Sequence, residues 1–96
     1  MNYLSNFINY LKATKNLSSK TLLAYSSDLK QFFEYEKNVL QPDICAYISY
    51  INTKLKDASI RRKIITLKNF YDYLLNNEII NCSPFRKLKF KFKQEQ

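Results

Sequence analysis

The sequence predicts an all-α fold, a small antiparallel or orthogonal bundle of four helices. Apolar residues recur with the helical period in four successive stretches of the 96-residue chain. Glycine, on which tight β-hairpin turns depend, is absent from the sequence. The length suits one small domain, and a hydrophobic content of 46% is enough to build its core.

The first two helices are predicted over residues 2–14 and 19–37. In the first helix the apolar positions follow i, i+3, i+4, i+7 spacing. Ser18 or Ser19 caps the second helix, because a serine hydroxyl can accept a hydrogen bond from a free backbone N–H of the first turn. The apolar positions that predict these helices are Leu4, Phe7, Ile8, Leu11, Leu22, Tyr25, Leu29, Phe32 and Phe33.

The last two helices are predicted over residues 43–55 and 59–76. Pro42 suits the first turn of the third helix, with Asp43 beside it at the favourable end of the helix dipole. Ser59 takes the N-cap position of the fourth helix. The core is predicted to contain Leu11, Leu22, Leu29, Phe33, Ile48, Ile51, Ile64, Leu67, Tyr71 and Leu74, with Cys45 as a small core residue.

Asparagine takes the place of glycine at the predicted helix ends. A helix often ends on a residue with positive φ, and Asn is the usual choice after Gly. We therefore expect this conformation at Asn16 and Asn38. Asn77 is a weaker case, because Glu78 rather than an apolar residue follows it.

The C-terminal residues divide into an apolar loop and a basic tail. Residues 79–85 are predicted as an ordered loop that covers one end of the bundle. Residues 86–93 alternate apolar and lysine side chains, a period typical of an extended segment. The sequence therefore predicts a helical domain over residues 1–85 and a basic linker or frayed tail over residues 86–96.

The composition favours an anionic partner and no catalytic chemistry. The net charge is +8, from 16 Lys and Arg against 8 Asp and Glu, which favours nucleic acid or a membrane surface. Histidine is absent, so the commonest general base is missing, and no glycine-rich phosphate loop exists.

The two cysteines form no Cys-x-x-Cys pair, so we expect no metal, no cofactor and a reduced, cytoplasmic protein. No apolar run reaches the length of a membrane span, and no secretory signal begins the chain.

Two helix starts are rich in hydrogen-bond donors suited to phosphate. Arg61, Arg62 and Lys63 are predicted in the first turn of the fourth helix, where the dipole disfavours cations, so an anion held there is one explanation. The other is a solvated basic face with poor dipole placement. The polar faces behind these starts carry Gln31, Lys68 and Asn69, which could reach base edges of duplex DNA. The predicted DNA-binding residues are Ser18, Lys20, Thr21, Ser59, Arg61, Arg62, Lys63, Lys68 and Asn69.

Both stretches resemble one known family, the tyrosine recombinases of the phage integrase and Xer type. The second helix carries Leu17-Ser18-x-x-Thr21-x-x-x-Tyr25-x-x-Asp28-Leu29-x-x-Phe32-Phe33. The fourth carries Ser59-x-x-Arg62-Lys63-Ile64-x-Thr66-Leu67-Lys68-x-Phe70-Tyr71-x-Tyr73-Leu74. Both are similar to helices of that family's core-binding domain. The following Ile79-Ile80-Asn81-x-x-Pro84-Phe85 resembles its loop toward the catalytic domain, except that Cys82-Ser83 separates Asn from Pro.

The resemblance implies a four-helix SAM-like bundle that grips duplex DNA with its second and fourth helices. The family's catalytic Arg, His and Tyr belong to a separate domain, so we expect this chain to bind DNA without cleaving it. It also implies that a full-length relative assembles as an oligomer on DNA. Two alternatives remain from the sequence: a helical protein–protein interaction module with a solvated lysine-rich surface, and, ranked last, membrane association through the tail.

Overall fold

A computed structural model describes residues 3–85 as four α-helices, with no strand among these residues. They are α1 (Tyr3–Thr14), α2 (Ser19–Tyr35), α3 (Ile44–Asn52) and α4 (Asp57–Asn76). The prediction of an all-α four-helix bundle is confirmed. The predicted start of the first helix at residue 2 and the extended segment over residues 86–93 lie outside the described residues.

The core is a set of interlocked aromatic and aliphatic side chains centred on α4. Phe7 of α1 meets Phe70 of α4 edge to face, with 5.4 Å between the ring centroids. Phe32 of α2 meets Tyr47 of α3 in the same way at 4.9 Å. Each such ring, fully buried, contributes about 1.5–3 kcal/mol through removal of apolar area from water. The buried apolar residues are Phe7, Leu11, Leu29, Phe32, Ile44, Tyr47, Ile51, Ile60, Ile64, Leu67, Phe70, Tyr71, Leu74 and Phe85.

Most predicted core positions are buried, and three lie at the edge of the core. Leu22, Phe33 and Ile48 are half-buried and pack against the buried cluster. Cys45 is exposed, so its prediction as a core residue is wrong. The reason is helical phase, since Ile44, Tyr47 and Ile51 form the buried side of α3.

The predicted end of α1 and start of α2 agree with the structure, and the predicted end of α2 does not. Asn16 adopts a φ of 51°, as predicted for the end of α1. Ser18 is the N-cap of α2, and its Oγ accepts from the backbone N–H of Thr21 at 3.1 Å. Asn38 has no positive φ, so that prediction is wrong. α2 ends at Tyr35, and the carboxylate of Glu36 accepts from the backbone N–H groups of Asn38 and Asp43, at 3.1 and 2.9 Å.

α3 is shorter than predicted because Asp43 caps it rather than joining it. The Asp43 carboxylate accepts from the backbone N–H of Ala46 at 3.0 Å, which leaves Pro42 outside the helix. At the other end the hydroxyl of Thr53 donates to the carbonyl of Tyr50 at 2.8 Å. Both changes follow from short polar side chains satisfying the free backbone groups of a helix terminus.

α4 begins two residues before the predicted boundary, so Ser59 is not its N-cap. Lys56 occupies that position without a side-chain cap, and Asp57 supplies the favourable negative charge of the first turn. Arg61, Arg62 and Lys63 consequently lie in the second turn. The expectation that they stand unfavourably at the positive end of the helix dipole is therefore wrong.

α4 ends in a Schellman motif, and the residue with positive φ comes one position later than the sequence predicts. Asn77 has a φ of −95°, whereas Glu78 takes the left-handed conformation with a φ of 59°. The N–H of Ile79 donates to the carbonyl of Leu74 at 2.9 Å, and the N–H of Glu78 to that of Leu75 at 3.0 Å. These two bonds define the motif.

The loop after α4 covers one end of the bundle, as predicted. Phe85 is buried, and its ring lies 6.4 Å from that of Tyr71. Tyr71 also donates its hydroxyl proton to the carbonyl of Val39, which fixes the α2–α3 loop to α4. Burial raises the pKa of Tyr71 well above its ordinary value, because the phenolate has no water around it.

Candidate nucleic-acid interface

Helices α2 and α4 lie side by side and run antiparallel. Tyr25 of α2 and Asn69 of α4 line one groove of about 410 Å³. Three residues further along α2, Asp28 contacts Thr66, and three residues beyond that Gln31 contacts Lys63. The position on α4 falls as the position on α2 rises, which fixes the antiparallel direction.

A buried carboxylate joins these two helices. Asp28, whose side chain is only 1% exposed, accepts hydrogen bonds from three residues of α4. Arg62 donates through Nε to Oδ2 at 2.9 Å and through Nη2 to Oδ1 at 2.7 Å. Lys63 Nζ donates to Oδ1 at 2.9 Å, and the hydroxyl of Thr66 lies 3.3 Å from Oδ2.

The cluster holds Asp28 in its ionised form. Burial alone would raise the pKa of Asp28, but the hydrogen bonds from Arg62 and Lys63, with their charges, bring it below the ordinary value. The hydrogen bonding of Arg62 to Asp28 raises the pKa of Arg62 in turn. Lys63 is 6% exposed and also donates to Gln31, so its ammonium group is held within the α2–α4 contact.

The outward face of α4 carries a second group of polar and charged side chains. Lys68 and Asn69 are exposed there, and Arg61 is half-buried. Ile65 lies between them and is 41% exposed. Because positions three and four apart share a helix face, Arg61, Ile65, Lys68 and Asn69 form one continuous surface. We call these four residues the α4 outer face.

The first turn of α2 presents Lys20 to solvent, with Ser18 and Thr21 bonded to each other. Ser18 Oγ donates to Thr21 Oγ1 at 3.0 Å, in addition to accepting from the Thr21 backbone. The serine hydroxyl is thus committed to the helix cap. Lys20 is exposed, and Thr21 is half-buried.

The predicted site residues are not all at one place. Leu17, just before α2, and Asn76, at the end of α4, line the same groove as Asn69. The start of α2 therefore lies beside the second half of α4, whereas Ser59 lies in the first turn of α4, at the other end of the pair. Lys63 is buried between the helices, and Arg62 is at the boundary, with half of its side chain exposed.

Sequence reasoning missed Asp28, Gln31 and Thr66 as partners of the predicted cations. A signal existed, because Asp28 stands on the same helical arc as Tyr25 and Phe32. An acid on a buried arc needs a partner of opposite charge, since an isolated buried carboxylate is costly. The partner, however, lies 34 residues away in sequence.

The described residues contain neither a metal-binding cluster nor a membrane-spanning helix. Residues 3–85 contain no cluster of three or more His, Cys, Asp or Glu side chains that could hold a metal ion. None of the helices in that range is long and apolar enough to cross a membrane.

Residues 4–78 match the family described as phage integrase, N-terminal SAM-like domain, and the chain belongs to that family. Among curated relatives, a tyrosine recombinase of Agathobacter rectalis is 36% identical over 98 aligned positions, and the match covers 96% of this chain and 32% of the relative. Tyrosine recombinase XerC of Leptospira interrogans is 42% identical over 93 residues, covering 88% of this chain and 30% of the relative.

Both XerC and XerD proteins are among the relatives. Tyrosine recombinase XerD of Rickettsia bellii is 32% identical over 92 residues, covering 88% of this chain and 30% of the relative. The chain thus spans about a third of the length of the curated relatives it matches. No solved structure matches the chain significantly.

Proposed function

We propose that this domain grips duplex DNA through α2 and α4 and serves as the DNA-binding module of a site-specific tyrosine recombinase or integrase. The observation that carries the proposal is the α4 outer face in a chain of this family. It presents Arg61, Lys68 and Asn69 along one helix side, and Lys20 extends from the neighbouring α2. Cations of this kind hold phosphates, and Asn can hydrogen-bond to base edges.

The strand-breaking chemistry is proposed to lie outside these 96 residues. The sequence contains no histidine, and its scattered acidic residues suggest no acid–base pair. The chain is proposed to act within a larger recombinase that assembles as an oligomer on DNA. Residues 86–96, with five basic and one acidic side chain, are proposed as the basic linker toward the catalytic part.

Binding of this domain to a short fluorescent duplex, followed by anisotropy across a range of salt concentrations, tests the proposal. We expect weak binding, with a Kd of about 10⁻⁴ to 10⁻⁶ M at physiological salt. A plot of log K against log salt concentration should have a slope of about −4 to −5, from four to six phosphate contacts. No binding at low salt, or a slope near zero, would refute the proposal.

A helical protein–protein interaction module is the second candidate, and one groove favours it. The lining of a groove of about 470 Å³ beside α3 includes Tyr35, Tyr50, Lys54 and Leu55. The rings of Tyr35 and Tyr50 stack at 4.7 Å, and both side chains are more than 40% exposed. Exposed aromatic side chains of this kind are enriched at protein interfaces.

Two substitutions discriminate between these candidates. Lys20→Gln removes a cation from α2, and Tyr50→Ser removes an exposed ring from the groove. The DNA-binding proposal expects weaker duplex binding for Lys20→Gln and unchanged binding for Tyr50→Ser. Weak duplex binding that neither substitution alters would favour the protein-interaction module.

A further inference from the structure

The buried cluster carries more positive charge than its carboxylate requires. Asp28 bears one negative charge, and both Arg62 and Lys63 contact it. Lys63, at 6% exposure, is already sufficient to neutralise it. The charge of Arg62 is therefore in excess at a position where half of the arginine side chain reaches the surface.

The hydrogen bonds to Asp28 occupy only one edge of the guanidinium group. Nε and one N–H of Nη2 point at the two carboxylate oxygens. The other edge, formed by Nη1 and the second N–H of Nη2, makes no hydrogen bond to another of residues 3–85. That edge presents two parallel N–H groups, the geometry that binds two acceptor atoms at once.

We propose that Asp28 is a positioning residue that holds Arg62 so that its outer guanidinium edge grips a pair of acceptor atoms on duplex DNA. This proposal rests on the DNA-binding function and adds the way in which one residue engages. The paired acceptors are either O6 and N7 of a guanine in the major groove or two oxygens of one phosphate. Either source offers two adjacent acceptor atoms to the two parallel N–H groups of the outer guanidinium edge, which we call the fork.

The pre-arranged fork has a physical advantage over a free arginine. A flexible arginine loses rotamer entropy when it is immobilised on a ligand. Here the fold has already met that cost, because Thr66 and Lys63 hold the carboxylate that orients Arg62. Removing Asp28 should therefore weaken DNA binding, although it removes a negative charge from the protein.

The predicted weakening of DNA binding on removal of a negative charge is the basis of the test. Asp28→Asn leaves one acceptor oxygen and places an amide against the arginine donors, so the fork is lost while the shape is kept. Glu34→Gln is the matched control, because Glu34 is an exposed acid on the same helix. General electrostatics predicts that both substitutions tighten duplex binding, because each raises the net charge by one.

We expect Asp28→Asn to weaken binding of a fluorescent duplex by about tenfold, the scale of one bidentate contact, and Glu34→Gln to tighten it slightly. The double variant Asp28→Asn with Arg62→Lys should bind no more weakly than either single variant, because both disable the same contact. Tighter binding by Asp28→Asn, or additive losses in the double variant, would overturn the positioning role. If wild-type protein does not bind, the proposed function fails, and this inference fails with it.

A measurement on the wild-type protein decides the matter even if Asp28→Asn does not fold. The Nε–H resonance of Arg62 should exchange slowly with solvent in the free protein and remain protected when duplex is added. Loss of that protection in the complex would mean that Arg62 leaves Asp28 to bind, which contradicts the proposal.

Replacing guanine by 7-deazaguanine distinguishes the two acceptor sources, since weaker binding identifies guanine and unchanged binding identifies phosphate.

Discussion

Lys63 and Lys68 have the same side chain on the same helix and opposite environments. They lie five residues apart on α4, which rotates one about 140° from the other around the helix axis. Lys63 is buried against α2, where it bonds to Asp28 and Gln31. Lys68 is exposed on the α4 outer face. A run of basic residues on one helix therefore divides into cations that build the fold and cations available to a partner.

Arg62 lies on the boundary between these two groups. Its guanidinium bonds to the buried carboxylate, yet half of its side chain is exposed. The comparison thus ranks the α4 cations by how strongly the fold depends on them: Lys63 and Arg62 above Lys68. Substitutions of these residues and of their partner Asp28 test that ranking.

The largest loss is expected when the shared carboxylate is removed. Asp28→Ala leaves Lys63 buried without a counter-charge, and breaking a buried pair in this way costs about 3–5 kcal/mol of unfolding free energy. Urea denaturation followed by circular dichroism measures it. Glu34→Ala is the control, because Glu34 is on the same helix and is exposed to solvent. Its expected change in unfolding free energy is within about 0.5 kcal/mol. Equal losses in the two variants would show that the cluster does not stabilise the fold.

A smaller loss is expected when the buried lysine is replaced by an apolar side chain of similar length. In Lys63→Met, Asp28 keeps both hydrogen bonds from Arg62, so the carboxylate remains paired. We expect a loss of about 1–3 kcal/mol, the scale of one hydrogen bond to a charged group. The same denaturation experiment applies, and a loss greater than that of Asp28→Ala would reverse the assigned roles.

Acid should weaken the contact between α2 and α4. The pKa of Asp28 is lower in the folded chain than its ordinary value of 3.8. A lowered pKa stabilises the fold above the ordinary value, and that stability is lost as the pH falls through the lowered pKa. The free energy of unfolding should therefore decrease below about pH 4. In Asp28→Asn the decrease over that range should be smaller, and an unchanged pH profile would exclude Asp28 as its source.

The smallest effect on stability is expected on the α4 outer face. Lys68→Gln removes an exposed cation, so the free energy of unfolding should change by less than about 0.5 kcal/mol. A melting curve by circular dichroism is sufficient to test this. A loss comparable to that of Lys63→Met would mean that Lys68 also supports the fold.

Much of the fold could be predicted from the sequence because helical periodicity survives without tertiary information. The apolar arcs identified all four helices, Asn16 marked the end of α1, and Ser18, one of the two serines predicted as the cap of α2, is its N-cap. The boundaries that were wrong depend on competition between neighbouring polar residues. Asp57 rather than Ser59 opens α4, and Glu78 rather than Asn77 adopts the positive φ.

The site was harder to predict, because its geometry depends on which helices meet. The basic residues of α4 were recognised, but the partner of Arg62 and Lys63 is on α2, more than 30 residues away in sequence. The dipole argument treated α4 as an isolated helix, so it offered an external anion as one explanation for three cations, two of which, Arg62 and Lys63, contact Asp28. Only the packed structure separates these cations from Lys68.

If exposed cations of α2 and α4 hold DNA, a matched pair of charge variants should differ in the salt dependence of duplex binding. Lys68→Gln and Lys12→Gln each remove one exposed cation, the first from the α4 outer face and the second from α1. The salt dependence of duplex binding is then measured for both. We predict that Lys68→Gln makes the log–log slope shallower by about 0.9, one phosphate contact, and that Lys12→Gln leaves it unchanged. Equal changes in the two slopes would show that net charge alone attracts DNA and would contradict an interface on α2 and α4.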